Sequence, residues 1–279
     1  MYAMIRIYKN LSTKFSNQVN KINATSPYKS STLSERFSFF RHSPCQLCDE
    51  ATNKHPFFCA DCYFDLPVIH TKCSICCLPI HLEKQQTEEI KLICGECITT
   101  PPSFTRTLCP FKYEFPIKQI IRQIKYSKQQ YWIKALSWAF IQEGSGEFQK
   151  NTFVMPDILI PIPMHKSKRK VRTYNQAELI AAALSKNTGI PFSTKILLKS
   201  KATDTQAQLN KQERVKNLKD SFCISEKALR QGHLSGKHIA LIDDVMTTKA
   251  TCELASKLLL DNNAKQVDIW CLARTPKVR

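Results

Sequence analysis

Four cysteine pairs share one spacing: Cys45/Cys48, Cys59/Cys62, Cys73/Cys76 and Cys94/Cys97. Two residues between thiols allow a tight knuckle with both sulfurs on one side, and two knuckles complete a tetrahedral four-thiolate site for zinc. Ten residues separate the first two pairs and 17 the last two. The second spacing is that of a zinc ribbon and the first is a shorter version of it. Sequential pairing is expected, 45/48 with 59/62 and 73/76 with 94/97; the spacing also admits a cross-braced order, first with third and second with fourth. Eight thiolates fill both sites, so two structural zinc ions are expected and no open catalytic position. Redox or disulfide roles for the pairs are the alternative.

The chain has 13 cysteines. Cys77, directly after Cys76, reads as a small buried residue or a spare thiol. Cys109, Cys223, Cys252 and Cys271 sit among apolar residues and read as core. His55, His70 and His81 lie near enough to substitute as ligands, but packing or surface roles are the simpler reading. No apolar run approaches the roughly 18 residues that span a bilayer, and MYAMIRIYKN lacks a signal-peptide core. The expected location is therefore the cytoplasm, with a peripheral position at the inner membrane as a variant. In reducing cytosol disulfides rarely persist.

Lys+Arg number 41 against 23 Asp+Glu, a formal charge of +18. That excess favours polyanionic partners: nucleic acid, nucleotides or an acidic membrane surface. Residues 1–44 hold seven Lys/Arg, one acid (Glu35) and little periodicity. They are expected to be a basic, disordered tail; a targeting peptide or a start at Met4 are the alternatives. Residues 45–100 form the cysteine module and 101–279 a second domain.

In that second domain the pattern alternates. Residues 105–114 read as a strand. Residues 116–143 carry helical spacing with a break near Ser127, and GSG at 144–146 is expected to end that element. DILIPIP, KHIALID and QVDIWCLA are buried strands; YNQAELIAAALSKNTG is a helix stopped by Gly189, and residues 249–262 form another. KILLKS and SFCI are short and strand-like. Continuous apolar strands alternating with helices predict an α/β fold, a parallel sheet flanked by helices.

KHIALID runs into Asp243 and Asp244, beyond which lie Thr247, Thr248, Lys249 and Thr251. In open α/β sheets ligands bind past the carboxyl ends of strands. Two carboxylates there can accept a ribose diol or hold hydrated Mg²⁺, and a helix start offers free N–H groups to phosphate. Read alone, these residues are equally ordinary cap and turn residues. The loop HKSKRKVR (165–172) contains five cations and no acid. Lys168, Arg169, Lys170 and Arg172, with Asn175 and Gln176 at the following helix start, are candidates for pyrophosphate or a DNA backbone; a solvated charged loop is the plainer alternative. Tyr174 could stack a base, though packing is the simpler role. His165 and His233 stand apart, and no Ser-His-Asp or Cys-His constellation is visible.

DDVMTTKAT resembles the phosphoribosyl-pyrophosphate (PRPP) loop of type I phosphoribosyltransferases. Together with PIPMHKSKRKVRTYNQAELIA, KATDTQAQLNKQERVKNLKDSF, DIWCLART and the cysteine module, it makes residues 45–275 resemble the ComF family, which includes the competence protein ComF and GntX. The resemblance implies a type I phosphoribosyltransferase fold behind a double zinc ribbon. Asp243 and Asp244 would hold the ribose hydroxyls and Thr247, Thr248 and Thr251 the 5′-phosphate. The basic loop would face pyrophosphate, and Thr203, Gln206, Arg214 and Asn217 match polar positions of a segment that could close over the ligand.

Three positions depart from the family pattern, each replacing glycine: Lys249 after the two threonines, Thr173 before Tyr174, and Gln208 before Leu209. A positive φ at Lys249 would strain the turn by about 1–2 kcal/mol; if only close approach is needed, the stem can swing outward or bring its ammonium to phosphate. The expected function is ComF-like: DNA uptake in natural transformation, handling single-stranded DNA in the cytosol, with a pocket that binds PRPP or a related phosphate while turnover is weak or absent. The alternatives are an active Mg²⁺-dependent phosphoribosyltransferase on an unidentified acceptor, and a zinc-stabilised adaptor with a vestigial pocket. Other competence proteins are candidate partners.

Overall fold

A computed structural model describes residues 44–52, 55–80, 92–150, 153–164, 172–199 and 221–277. Apart from Pro44, the expected basic tail lies outside the described residues. So do His81, His165, Lys168, Arg169 and Lys170, and the segment carrying Thr203, Gln206, Gln208, Arg214 and Asn217. No described helix is long and apolar enough to cross a membrane. The described residues divide into two compact units, one up to Leu66 and one from Pro67 onward. That boundary falls between the two cysteine groups, whereas the composition changes near residue 100.

In the first unit Cys45 and Cys48 form a knuckle. The Asp49 amide donates to the Cys45 carbonyl over 2.9 Å and the Cys45 amide to the Glu50 carbonyl, and Pro44 bridges Ala51. Helix α1 (Ala60–Phe64) starts at Cys59, whose sulfur accepts from the Cys62 amide. The second unit opens with the same device 28 residues on. The Cys77 amide donates to the Cys73 carbonyl over 3.0 Å and the Cys73 amide to the Leu78 carbonyl, and Lys72 bridges Pro79. Each knuckle turns through a left-handed residue directly after its second cysteine, Asp49 (φ 65°) and Cys77 (φ 53°). Helix α2 (Gly95–Thr99) begins at Cys94 as α1 does at Cys59.

The second unit is built on a parallel sheet. Its strands are β1 (Arg106–Leu108), β2 (Phe111–Lys112), β3 (Ile158–Pro161), β6 (His238–Met246) and β7 (Gln266–Arg274), in the order β1-β7-β6-β3 with β2 also on β7. Ile158 to Pro161 pair with Ile239 to Ile242, and Ile242 pairs with Trp270. The apolar runs are continuous because both faces are covered: every residue of β7 after Gln266 is buried, and in β6 only Asp243 is not. Between β2 and β3 lie α3 (Ile117–Tyr126) and α4 (Tyr131–Phe148). After β3 come α5 (Gln176–Thr188), the pair β4 (Leu197–Lys199) and β5 (Phe222–Ile224), and α6 (Glu226–Arg230); α7 (Ala250–Asp261) connects β6 to β7. Gly189, at φ 77°, closes α5 in the left-handed conformation. The cysteines of the second group share one apolar core with sheet residues such as Ile160, Leu241 and Cys271.

Two expectations are corrected. GSG does not end its helix: α4 runs through it to Phe148. The reason is packing, since a Cβ at Gly144 would lie 3.1 Å from the Phe148 ring and 3.4 Å from Leu108. That lets Phe148 reach Trp270, at 5.6 Å between ring centroids. Cys223 is exposed, not core. It sits on β5, which pairs antiparallel with β4 outside the main sheet and buries only alternate residues. Cys109, Cys252 and Cys271 are buried as expected.

At the amino ends of the strands Asp268, fully buried, accepts from Arg106 Nε (2.7 Å) and Gln266 Nε2 (3.0 Å) and meets His238 Nε2 at 3.0 Å. Burial alone would raise its pKa, but these bonds hold it below the ordinary carboxylate value. This cluster tethers β1, β6 and β7 and leaves the other end of the sheet for ligands.

The two glycines of α4 should separate in a urea titration. Gly146 faces open space, so Gly146→Ala should raise stability by about 0.5–1 kcal/mol. Gly144→Val should lower it by about 1–3 kcal/mol through overpacking against Phe148. Equal effects would contradict the close-packing role of Gly144.

Candidate functional site

Because β3 and β6 are parallel neighbours, the segments leaving their carboxyl ends lie side by side. They form a cleft of about 220 Å³. Its walls include Ile162–Met164, Asp243, Asp244 and Thr251, with Arg172, Asn175, Gln176 and Ala177 from the start of α5 and Lys199 and Phe222 from β4 and β5. Asn175 bolts this corner together: Oδ1 accepts from the Ala177 amide (3.2 Å) and Nδ2 donates to the Ile162 carbonyl (3.0 Å). Gln176 is 2% exposed, and among the described residues its Nε2 has no hydrogen-bond partner. A buried donor of this kind is uncommon and would be satisfied by a ligand oxygen.

The two carboxylates differ. Asp244 is ion-paired to Lys125 Nζ at 2.8 Å, with both side chains largely buried. Asp243 Oδ1 accepts from the Asp244 amide (2.8 Å). Partial desolvation at the sheet edge first, and then the Asp244 charge, pushes the half-buried Asp243 carboxyl up to about 7. Nothing local in the sequence marks Lys125. It lies on α3 with Lys118 and Arg122, and only the fold distinguishes the lysine that meets Asp244.

Thr247 and Thr248 are exposed on the turn between β6 and α7, outside the cleft walls, while Thr251 lines the cleft. Among the described residues no side chain caps the first turn of α7, and uncapped first-turn N–H groups can receive an anion. Lys249 is the residue before α7, at φ −76° and ψ −12°, an ordinary helical conformation. No positive φ is required there. Its stem swings away from the cleft, placing Nζ 3.2 Å from Glu96 Oε1 and 3.5 Å from Cys97 Sγ. Burial works against this ammonium's charge, but its bond to Glu96 and the neighbouring Cys97 outweigh that and hold its pKa above the ordinary value.

Thr173 is the glycine replacement that does adopt a left-handed backbone, at φ 67°. Its neighbour Tyr174 is half-buried and its hydroxyl donates to the Ile124 carbonyl, so it packs the loop onto α3. Arg172 lies 5.2 Å over the Tyr126 ring and bonds its hydroxyl at 3.3 Å.

The cysteines gather sequentially, 45/48/59/62 and 73/76/94/97, and within each group the ligand atoms all lie within 4.8 Å of one another. The Cys48–Cys59 and Cys76–Cys94 sulfur separations are 3.6 and 3.7 Å. A tetrahedral site with metal–sulfur distances of ~2.3 Å has sulfur–sulfur edges of ~3.8 Å, so each group could hold one zinc ion. His55 and His70 join neither group, and no disulfide links the cysteines. The spare thiol of Cys77 is buried and donates to the Thr107 carbonyl at 2.9 Å.

The second group also touches the β6–α7 turn through Arg274, which is 3% exposed. Its Nε donates to the Cys76 carbonyl (3.2 Å) and its Nη1 to the carbonyls of Met246 and Thr247 (2.8 Å each).

The two described glycine replacements should respond in opposite ways. Thr173→Gly should stabilise the chain by about 1 kcal/mol by removing a β-branched residue from positive φ. Lys249→Gly should destabilise it by about 1–2 kcal/mol, losing helical preference and the contact with Glu96. Thermal unfolding of both variants checks this; a stabilising Lys249→Gly would contradict the geometry.

No family model matches the chain. It is 29% identical over 231 residues to the DNA utilization protein YhgH of Shigella flexneri, covering 83% of this chain and 90% of that protein. It is 30% identical over 182 residues to competence protein F of Haemophilus influenzae, covering 65% of this chain and 78% of the relative. Among solved structures, a purine phosphoribosyltransferase from Pyrococcus horikoshii matches at 16% identity and a TM-score of 0.30, over 52% of this chain and 84% of that one; a likeness that small says nothing of activity. The match to competence protein F, at that identity and coverage, shows that this chain belongs to the ComF family.

Proposed function

We propose that this chain is a DNA-uptake protein that handles single-stranded DNA in the cytosol, and that its cleft takes PRPP or a closely related phosphorylated ribose. One observation carries the reading. Two carboxylates, an unsatisfied Gln176 amide and the open first turn of α7 converge on one cleft at the carboxyl end of the sheet. Asp243 and Asp244 accept the ribose hydroxyls. The α7 amides, with Thr247, Thr248 and Thr251, hold the 5′-phosphate, and Gln176 donates to a ligand oxygen. Arg172 and its chain neighbours Lys168, Arg169 and Lys170 meet diphosphate or the DNA backbone. The formal charge of +18 favours such a polyanion, and the DNA-utilization and competence names of the relatives point the same way. Zinc is structural in both cysteine groups, and Mg²⁺ accompanies PRPP. Lys249, engaged with Glu96 and Cys97, is no phosphate ligand in this reading.

Titrations of zinc-loaded protein with Mg·PRPP and with a single-stranded oligonucleotide test it. Asp243→Asn/Asp244→Asn should weaken PRPP binding tenfold or more. The Lys168/Arg169/Lys170 triple alanine variant should lower the salt slope of DNA binding by about 2, from ~0.7 per lost phosphate contact. Wild type should bind PRPP more tightly at pH 8 than at pH 6, because an Asp243 carboxyl raised to about 7 is ionised, and accepts fully, only above that pH. Asp243→Asn should shrink that dependence. Pyrophosphate release with an added base would instead make the chain a transferase, and failure to bind either ligand would overturn the proposal.

A further inference from the structure

We infer that Lys249 and Arg274 are positioning residues that hang the β6–α7 turn on the second cysteine group, so that metal held by Cys73, Cys76, Cys94 and Cys97 sets the shape of that turn. The inference that this turn is a phosphate turn rests on the function proposed above; the coupling between metal and turn does not.

Three ties reach the turn at different points. Arg274 spans the carbonyl of the ligand residue Cys76 and those of Met246 and Thr247. The Lys249 ammonium lies against Glu96 and the sulfur of Cys97. One helical turn further on, Glu253 takes both the amide (2.8 Å) and the hydroxyl (2.5 Å) of Ser103, on the segment between the cysteine group and β1. The backbone at Lys249 is relaxed, so the lysine is not there for its conformation. A glycine in the same place would lose this tie; the lysine attaches the turn to a metal ligand. Four thiolates around a divalent ion leave net negative charge, and an ammonium beside one sulfur offsets part of it, as outer partners of metal sites commonly do. Linkage then works in both directions: whatever stabilises the tied turn also retains the metal.

The zinc-loaded full chain provides the test. Zinc release to a chromogenic chelator should be biphasic, one phase per site. Lys249→Met should speed one phase tenfold or more and, without any ligand, increase amide exchange across residues 247–252. Lys249→Arg should restore both to within about threefold, because it keeps a cation in reach of Glu96 and Cys97; a general packing role would not be rescued in step. Glu253→Gln, which weakens the Ser103 tie and leaves the lysine in place, should loosen the same amides with a smaller effect on zinc, and it serves if Lys249→Met folds poorly. Unchanged zinc release in Lys249→Met, or release and amide exchange that change independently, would overturn the inference. Added Mg·PRPP should slow the affected phase in wild type. If PRPP does not bind while the ligand-free coupling holds, the phosphate reading fails and this inference stands.

Discussion

A guanidinium that water barely reaches has to find its acceptors in the protein, because a buried cation without them would cost several kcal/mol. Arg274 finds them on three segments: the end of its own strand, the turn after β6 and the knuckle around Cys76. None of the three can separate without stripping that charge. The position of Arg274 follows from pairing β7 with β6 over their whole lengths, Met246 opposite Arg274. The strand register therefore determines where the turn sits, and the Asp243–Asp244 edge with Thr251 shapes one wall of the cleft. The second cysteine group is bound into the same arrangement and shares the sheet's core.

Much of this was legible in the chain. KHIALID and QVDIWCLA are uninterrupted apolar runs because parallel strands are covered on both faces, and the acids that end the first of them mark the cleft. Asn175 and Gln176 could be placed at a helix start because an Asn there caps, and here it does. The cysteine spacing suggested sequential pairing, and the sulfurs gather that way. What could not be read locally depends on contacts far apart in sequence. Lys125 meets Asp244, and Lys249 meets Cys97; nothing in α3 or in TTKAT distinguishes those lysines from solvated ones. GSG looked like a stop because glycine is a poor helix residue, yet at Gly144 ring packing decides. Cys223 looked apolar in context but lies on the open side of a short two-stranded sheet.

The replaced glycines show how one letter change has different physical meanings. Read as sequence, Lys249 and Thr173 are the same departure. In the fold one has a helical backbone and serves as an attachment, while the other holds a left-handed conformation that a β-branched residue tolerates poorly. Having a lysine in this turn where the family pattern has glycine therefore demands no unusual backbone, and the lysine stem points to Glu96 and Cys97 instead of into the cleft.

The most direct measurement is a crystal structure of the zinc-loaded chain with Mg·PRPP. The account predicts the 5′-phosphate at the amides opening α7, the ribose hydroxyls on Asp243 and Asp244, an oxygen on Gln176 Nε2, and Lys249 still against Cys97. A ligand bound elsewhere, or Lys249 turned onto the phosphate, would contradict it.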